Sequence, residues 1–183
     1  MQPDFSAFRP LELRSLRSGA LARLVRADAV EMTAELVDQV TRICNEPLVY
    51  DFLFRRGLAG APYPPEKARE FLDRAARGWR EHTHFVFLIA LAGERVAGNV
   101  EIESADLDRS EIGYWASARH PGFMTPAVAA VCEVARAAGY RSLYAHTRTH
   151  NERSMAVLRR NGFEDVGLVG SGDELARKFV KVL

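Results

Sequence analysis

The segment "SEIGYWASARHPGFMTPAVAAVCEVARAAG", residues 110–139, constrains the fold more than any other stretch. Its hydrophobic period changes once, from the alternation of a strand to the three-to-four spacing of a helix, across a turn rich in Gly and Pro. Val128, Val131, Cys132 and Ala135 form the buried stripe expected of that helix, and Gly139 is a natural stop. A strand that turns directly into a helix N-terminus leaves several backbone N–H groups without intrachain acceptors. Those groups suit an anion, and the helix dipole adds about 0.5–1 kcal/mol in its favour. Gly122 lets the backbone approach a ligand closely, Arg119 offers charge-assisted hydrogen bonds, and a diphosphate is the group such a turn fits. An ordinary capped helix with a solvated Arg119 is the other reading of these residues.

The rest of the chain supplies a sheet for that unit. "ALARLVRA" alternates as a strand, and Thr33, Leu36, Val37, Val40, Ile43 and Cys44 then mark a helix, with Asp28 and Glu31 as its expected capping box. "NEPLVYDFLFRRGLAGAPYPP", Asn45 to Pro65, reads as a long irregular loop of the functional kind. Pro65 opens a second helix whose Ala68, Phe71, Leu72, Ala75 and Trp79 share a face. "FVFLIAL" and "RVAGNVEIES" make a hairpin joined by "AGE". After residues 110–139, "RSLYAHT" is a strand, Asn151 caps a helix through Arg160, "NG" ends it, and "FEDVGLVG" and "RKFVKV" close the chain as strands. The expectation is a mixed α/β fold, a largely antiparallel sheet with about four helices.

At 183 residues the chain suits one domain with a real core. Residues 1–20 read as an N-terminal arm, loose over its first ten residues, or an extra strand, and residues 21–183 as the domain. Lys plus Arg number 25 against 24 Asp plus Glu, which removes any global charge argument for nucleic acid or acidic membranes. No apolar run approaches the ~18 residues of a membrane span, and no signal-like segment opens the chain, so a cytoplasmic location is expected. Cys44 and Cys132 fit no disulfide or metal pattern and read as packing residues. His146 and His150 are four apart, but on a strand end and loop, and His82 and His84 are no better, so no metal is expected.

"EIGYWASARHPGFMTPAV" followed by "NERSMAVLRRNGF" resembles the GNAT superfamily of N-acetyltransferases, with the closest likeness to its ribosomal-protein-alanine (Rim-type) branch. Asn151, Ser154, Val157, Leu158, Gly162 and Phe163 carry the second half of that likeness. The resemblance implies a strand that splays to admit the pantetheine arm of acetyl-CoA, and a pyrophosphate turn of the form R/Q-x-x-G-x-G/A. Arg119 and Gly122 fit that turn; Met124 takes the last small position, His120 stands where many relatives have Gly, and Pro121 has no N–H. The implied cofactor contacts are Trp115, Ala116, Arg119, His120, Gly122, Phe123, Met124, Thr125 and Asn151.

The same resemblance implies Ser154 as the hydrogen-bond donor to the departing thiolate, because Leu158 occupies the place of the superfamily's frequent tyrosine acid. Candidate bases are Glu111 on the splayed strand, Glu101 and Glu103 on the one before it, and Asp173 or Glu174 in the last hairpin; Glu111 and Asp173 are the two taken forward with Ser154. Tyr50, Phe52, Phe54 and Tyr63 fall in the loop that lines the acceptor site of relatives, where Arg55 and Arg56 meet an anionic acceptor or only solvent. His120 meets the pyrophosphate or solvent in the same way. The implied activity is direct acetyl transfer from acetyl-CoA to a primary amine, a protein N-terminus or a small molecule. The alternative is a weak or inactive module that binds CoA or a partner protein, and a homodimer stays open.

Overall fold

The computed structural model describes residues 2–93 and 95–183. Eight strands form one sheet in the order β1-β2-β3-β4-β5-β6-β8-β7. They are β1 (Leu11–Arg14), β2 (Leu21–Arg26), β3 (Phe85–Leu91), β4 (Arg95–Ile102), β5 (Ser110–Ala116), β6 (Ser142–Arg148), β7 (Glu164–Val169) and β8 (Ala176–Val182). The helices are α1 (Ala34–Cys44), the single turn α2 (Pro47–Val49), α3 (Pro65–Glu81), α4 (Met124–Ala137) and α5 (Glu152–Arg160). Every strand pairing is antiparallel except β5 with β6. The expected mixed α/β architecture is the one observed.

Phe85, Val86, Phe87, Leu88 and Ile89 are all 0% exposed, so β3 is covered on both faces, because successive side chains of a strand point opposite ways. The helices divide accordingly, α1 packing with α3 and α4 with α5. The apolar stripes expected of α1, α3 and α4 are buried except at two positions: Phe71 is half-buried, and Thr33 lies outside α1 as its N-cap. Gly139, at φ +99°, ends α4 in the left-handed region, where glycine carries no Cβ penalty.

Three local expectations are corrected. The first ten residues are not loose: Phe5 is buried, its ring 5.1 Å from Trp79 and 4.5 Å from Phe85, and the Asp4 amide donates to Ala138 O. Asp28 and Glu31 do not cap α1. Asp28 pairs with Arg26 at 2.6 Å, and Thr33 Oγ1 caps the helix by accepting from Leu36 N. The loop after Asn45 is not wholly irregular, since α2 runs into a π-helical turn at Tyr50–Phe54. Glu94 of the β3–β4 "AGE" connection lies outside the described residues.

Candidate active site

Strands β5 and β6 pair at only two positions, Ser110 with Leu143 and Glu111 with Tyr144, and from Ile112 onward β5 has no ladder to β6. Antiparallel pairing of β5 to β4 continues to Ala116. The strand therefore stays in the sheet on one side and opens a gap on the other, which is the splay expected of it. Backbone groups lining such a gap need partners, and a ligand can supply them.

Ser154 and Tyr114 meet on one side of the gap. Asn151 Oδ1 accepts from Ser154 N at 3.1 Å, so Asn151 is the N-cap of α5 and fixes the serine in the first turn. Ser154 Oγ lies 2.8 Å from Tyr114 OH, which also donates to Ser154 O at 3.1 Å. Burial raises the Tyr114 phenol well above its ordinary range, so it is a neutral hydroxyl at every working pH. The sequence analysis missed Tyr114; the signal was its place two residues after Ile112, on the same face of a strand that loses its partner there.

The opposite face of β4 and β5 carries carboxylates. Glu101 pairs with Gly113 in the β4–β5 register, and Glu103 N donates to Glu111 O, so strand alternation puts Glu101, Glu103 and Glu111 on one face. Arg74 of α3 engages Glu101 through both oxygens, at 2.5 and 2.9 Å. Glu111 Oε1 lies 2.8 Å from His146 Nδ1. No cation is paired with Glu103 among the described residues. Glu103 is exposed at the residue level, yet its carboxyl lies over Gly113, with Oε1 2.8 Å from where a Cβ would stand. Loss of hydration, then the charges of Glu111 and Glu101, push its pKa up to about 7 against the pull of Arg74. Sequence reasoning weighed Glu103 without choosing it, because only the tertiary structure shows that Arg74 goes to Glu101 and His146 to Glu111.

Beside these carboxylates is a pocket of about 350 Å³, lined on one side by Leu53, Phe54 and Leu58 and on the other by Phe71 and Arg74. Phe71 also packs on Trp115 of β5, ring to ring at 5.8 Å. Tyr50 OH bonds Ala61 O within the same loop, whereas Arg55 pairs with Asp51 at the surface. Arg56 reaches Asp173 O at 3.4 Å and Arg148 reaches the same carbonyl at 2.7 Å, so Asp173 meets both through its backbone and its carboxylate stays in an exposed turn.

The turn between β5 and α4 divides in two. Ala118 N donates to Glu46, Arg119 N to Ser117 Oγ and His120 N to Ser117 O. The amides of Gly122, Phe123, Met124 and Thr125 have no acceptor among the described residues. Phe123 and Met124 bury their side chains in the core, whereas the Arg119 side chain stays 78% exposed. The fold itself also requires glycine at position 122. At φ +93°, a Cβ there would meet Ser15 Oγ at 2.6 Å and Arg17 N at 2.8 Å, because the β1–β2 hairpin packs on the turn. Leu16 N donates to Gly122 O, and Ser15 Oγ to Pro121 O, holding it there.

Residues 26–164 match the family described as the acetyltransferase (GNAT) domain. The chain belongs to the GNAT acetyltransferase family. Among solved structures, the fold is similar to that of Mycobacterium smegmatis RimJ in complex with a CoA-disulfide, at TM-score 0.72 and 18% identity over 100% of this chain and 90% of that one. It is similar also to RimL, a ribosomal α-N-protein acetyltransferase in complex with coenzyme A, at TM-score 0.72 and 16% identity over 94% and 98%. A third is the microcin self-immunity acetyltransferase MccE in complex with acetyl-CoA and AMP, at TM-score 0.71 and 15% identity over 92% and 99%. No curated protein sequence matches this chain.

This GNAT protein is by its family an N-acetyltransferase, and its two thiols sit away from any nucleophile setting. Both are buried, and burial pushes Cys44 up to about 12 and Cys132 up to about 11. Among the described residues no cluster of three metal-ligating side chains occurs, and no helix is long and apolar enough to cross a membrane.

Proposed function

We propose that the protein transfers the acetyl group of acetyl-CoA directly to a primary amine. The observation that carries this reading is the opening between β5 and β6, flanked on one side by a pair of hydroxyls and on the other by a carboxylate with a pKa near 7. The unpartnered amides of Gly122 to Thr125, at the N-terminus of α4, fit a diphosphate, with Arg119 beside them. Acetyl-CoA supplies an activated thioester, and the remaining chemistry belongs to side chains of this chain.

An ammonium acceptor enters from the face of Glu101, Glu103 and Glu111, which share one side of β4 and β5. Glu103 takes its proton, because a base that is half ionised near pH 7 both exists in the right form and accepts with little driving-force penalty. The neutral nitrogen then attacks the thioester carbonyl, forming the C–N bond as the C–S bond breaks. Ser154, its backbone amide held by Asn151 and its Oγ beside Tyr114 OH, turns its hydroxyl proton to the sulfur as negative charge gathers there. The second proton of the nitrogen leaves to solvent, and the departing thiolate, hydrogen-bonded by Ser154 Oγ, takes its proton from solvent.

RimL is named as a ribosomal L7/L12 α-N-protein acetyltransferase and MccE as a microcin C7 self-immunity acetyltransferase, so both a protein N-terminus and a small amine are acceptors to test. Calorimetry with CoA, followed by acetyl-CoA consumption against N-terminal peptides and small amines, examines the reading directly. Ser154→Ala should lower kcat about 10–100-fold while leaving the affinity for acetyl-CoA within about twofold. Equal turnover in wild type and variant would remove Ser154 from the chemistry, and absence of CoA binding by the wild type would remove the reading as a whole.

A further inference from the structure

Glu46 is a nearly buried carboxylate that the chemistry above does not use, with a side chain only 12% exposed. Its two oxygens are both occupied: Ser117 Oγ donates to Oε1 at 2.7 Å, and the Ala118 amide donates to Oε2 at 2.6 Å. Arg119 Nε stands 3.9 Å from Oε1. Ser117 and Ala118 begin the turn whose next amides face the diphosphate in the reading above. A carboxylate held this way costs several kcal/mol to dehydrate and is kept only where donors satisfy it.

The main chain of Glu46 belongs to the other substrate's side. Its carbonyl accepts from Val49 N and Tyr50 N, starting the helical turn that carries Leu53 and Phe54 to the pocket. The preceding Asn45 closes this loop at its far end, accepting from Tyr63 N at 2.9 Å and donating to Tyr63 O at 2.8 Å. Residues 45–63 are therefore a closed loop pinned at its base by Asn45 and joined to the β5–α4 turn by one side chain. Nothing in "NEP" signals this, since the partners lie 71 and 72 positions further along.

We propose that Glu46 is a positioning residue that couples the two halves of the site, so that coenzyme held on the turn orders the loop forming the acceptor pocket. The inference rests on the acetyl-CoA reading. Fixing Ser117 and Ala118 fixes the carboxylate they bind, and the carboxylate fixes the first turn of the loop. By reciprocity, an ordered loop favours the coenzyme to the same extent.

Hydrogen exchange read by mass spectrometry on the full chain, with and without CoA, tests this without knowledge of the acceptor. In the wild type, CoA should slow exchange across residues 49–61 by about 5- to 150-fold, the usual range of such couplings. Glu46→Ala should still bind CoA by calorimetry and lose that protection. Glu46→Gln should keep most of it, because the amide oxygen can accept from Ala118 N and the amide nitrogen can donate to Ser117 Oγ. Ser117→Ala removes one bond from the turn's side, and serves if Glu46→Ala melts at the assay temperature. CoA binding with equal protection in wild type and Glu46→Ala, or CoA binding to the wild type with no protection of the loop, would overturn the coupling while leaving the acetyl-CoA reading intact. A wild type that binds no CoA overturns both.

Discussion

Replacing Glu111 with Gln should lower the pKa of Glu103, and the reason lies in the β4–β5 register. Glu103 faces Glu111 across the two strands and follows Glu101 by two residues on the same face, so three like charges share one patch of sheet. Arg74 gives both its nitrogens to Glu101, and His146 meets Glu111, which leaves Glu103 the carboxylate that holds its proton to about 7 instead of the ordinary 4.5. At that value about one-tenth of Glu103 is ionised at pH 6 and about nine-tenths at pH 8. Carboxyl-carbon NMR across this range reads the titration directly, and Glu111→Gln removes one of the two charges that raise it. Because the folded value is above the unfolded one, the contribution of Glu103 to stability is fully present below about pH 4.5 and is lost as pH rises through about 7. Glu103→Gln should thus melt higher than wild type at pH 8 and show no such advantage at pH 4. In acetyl transfer the same variant should lose the rising limb of kcat/KM for the acceptor near pH 7 and about 10²–10⁴ in rate. A wild-type Glu103 that titrates near 4.5, or one unmoved by Glu111→Gln, would refute the reasoning.

Phe5→Ala should cost about 3–5 kcal/mol in urea denaturation, because the ring sits among Trp79, Phe85 and Phe87; a loss under about 1 kcal/mol would return the N-terminal segment to a loose arm. The Cys44→Ala, Cys132→Ala double variant should keep its turnover and give intersecting initial-rate lines, since both thiols are protonated and buried. An acetyl group found on either cysteine of the wild type after incubation with acetyl-CoA alone would contradict direct transfer.

The sequence by itself determined whatever depends on neighbours along the chain. Hydrophobic periods set the order of strands and helices and most of the buried stripes, and the change of period at residues 110–139 located the strand, turn and helix of the site. Asn151 was legible as a cap and Gly139 as a stop, because each acts within a few residues of itself. Tertiary structure decided the rest, beginning with cases where two local signals competed. Asp28 found Arg26 two residues away, and Thr33 was left to cap α1. Phe5 carried no period at all, and only the aromatic group of α3 and β3 gave it a place. Gly122 is fixed by a hairpin more than 100 residues earlier, Glu46 by a turn 71 and 72 residues later, and Glu103 is told apart from Glu101 and Glu111 only by which side-chain partners α3 and β6 bring to them. Periodicity is a property of one element, whereas a hydrogen bond or a shifted pKa depends on which elements the sheet register and loop closures bring within a few ångströms.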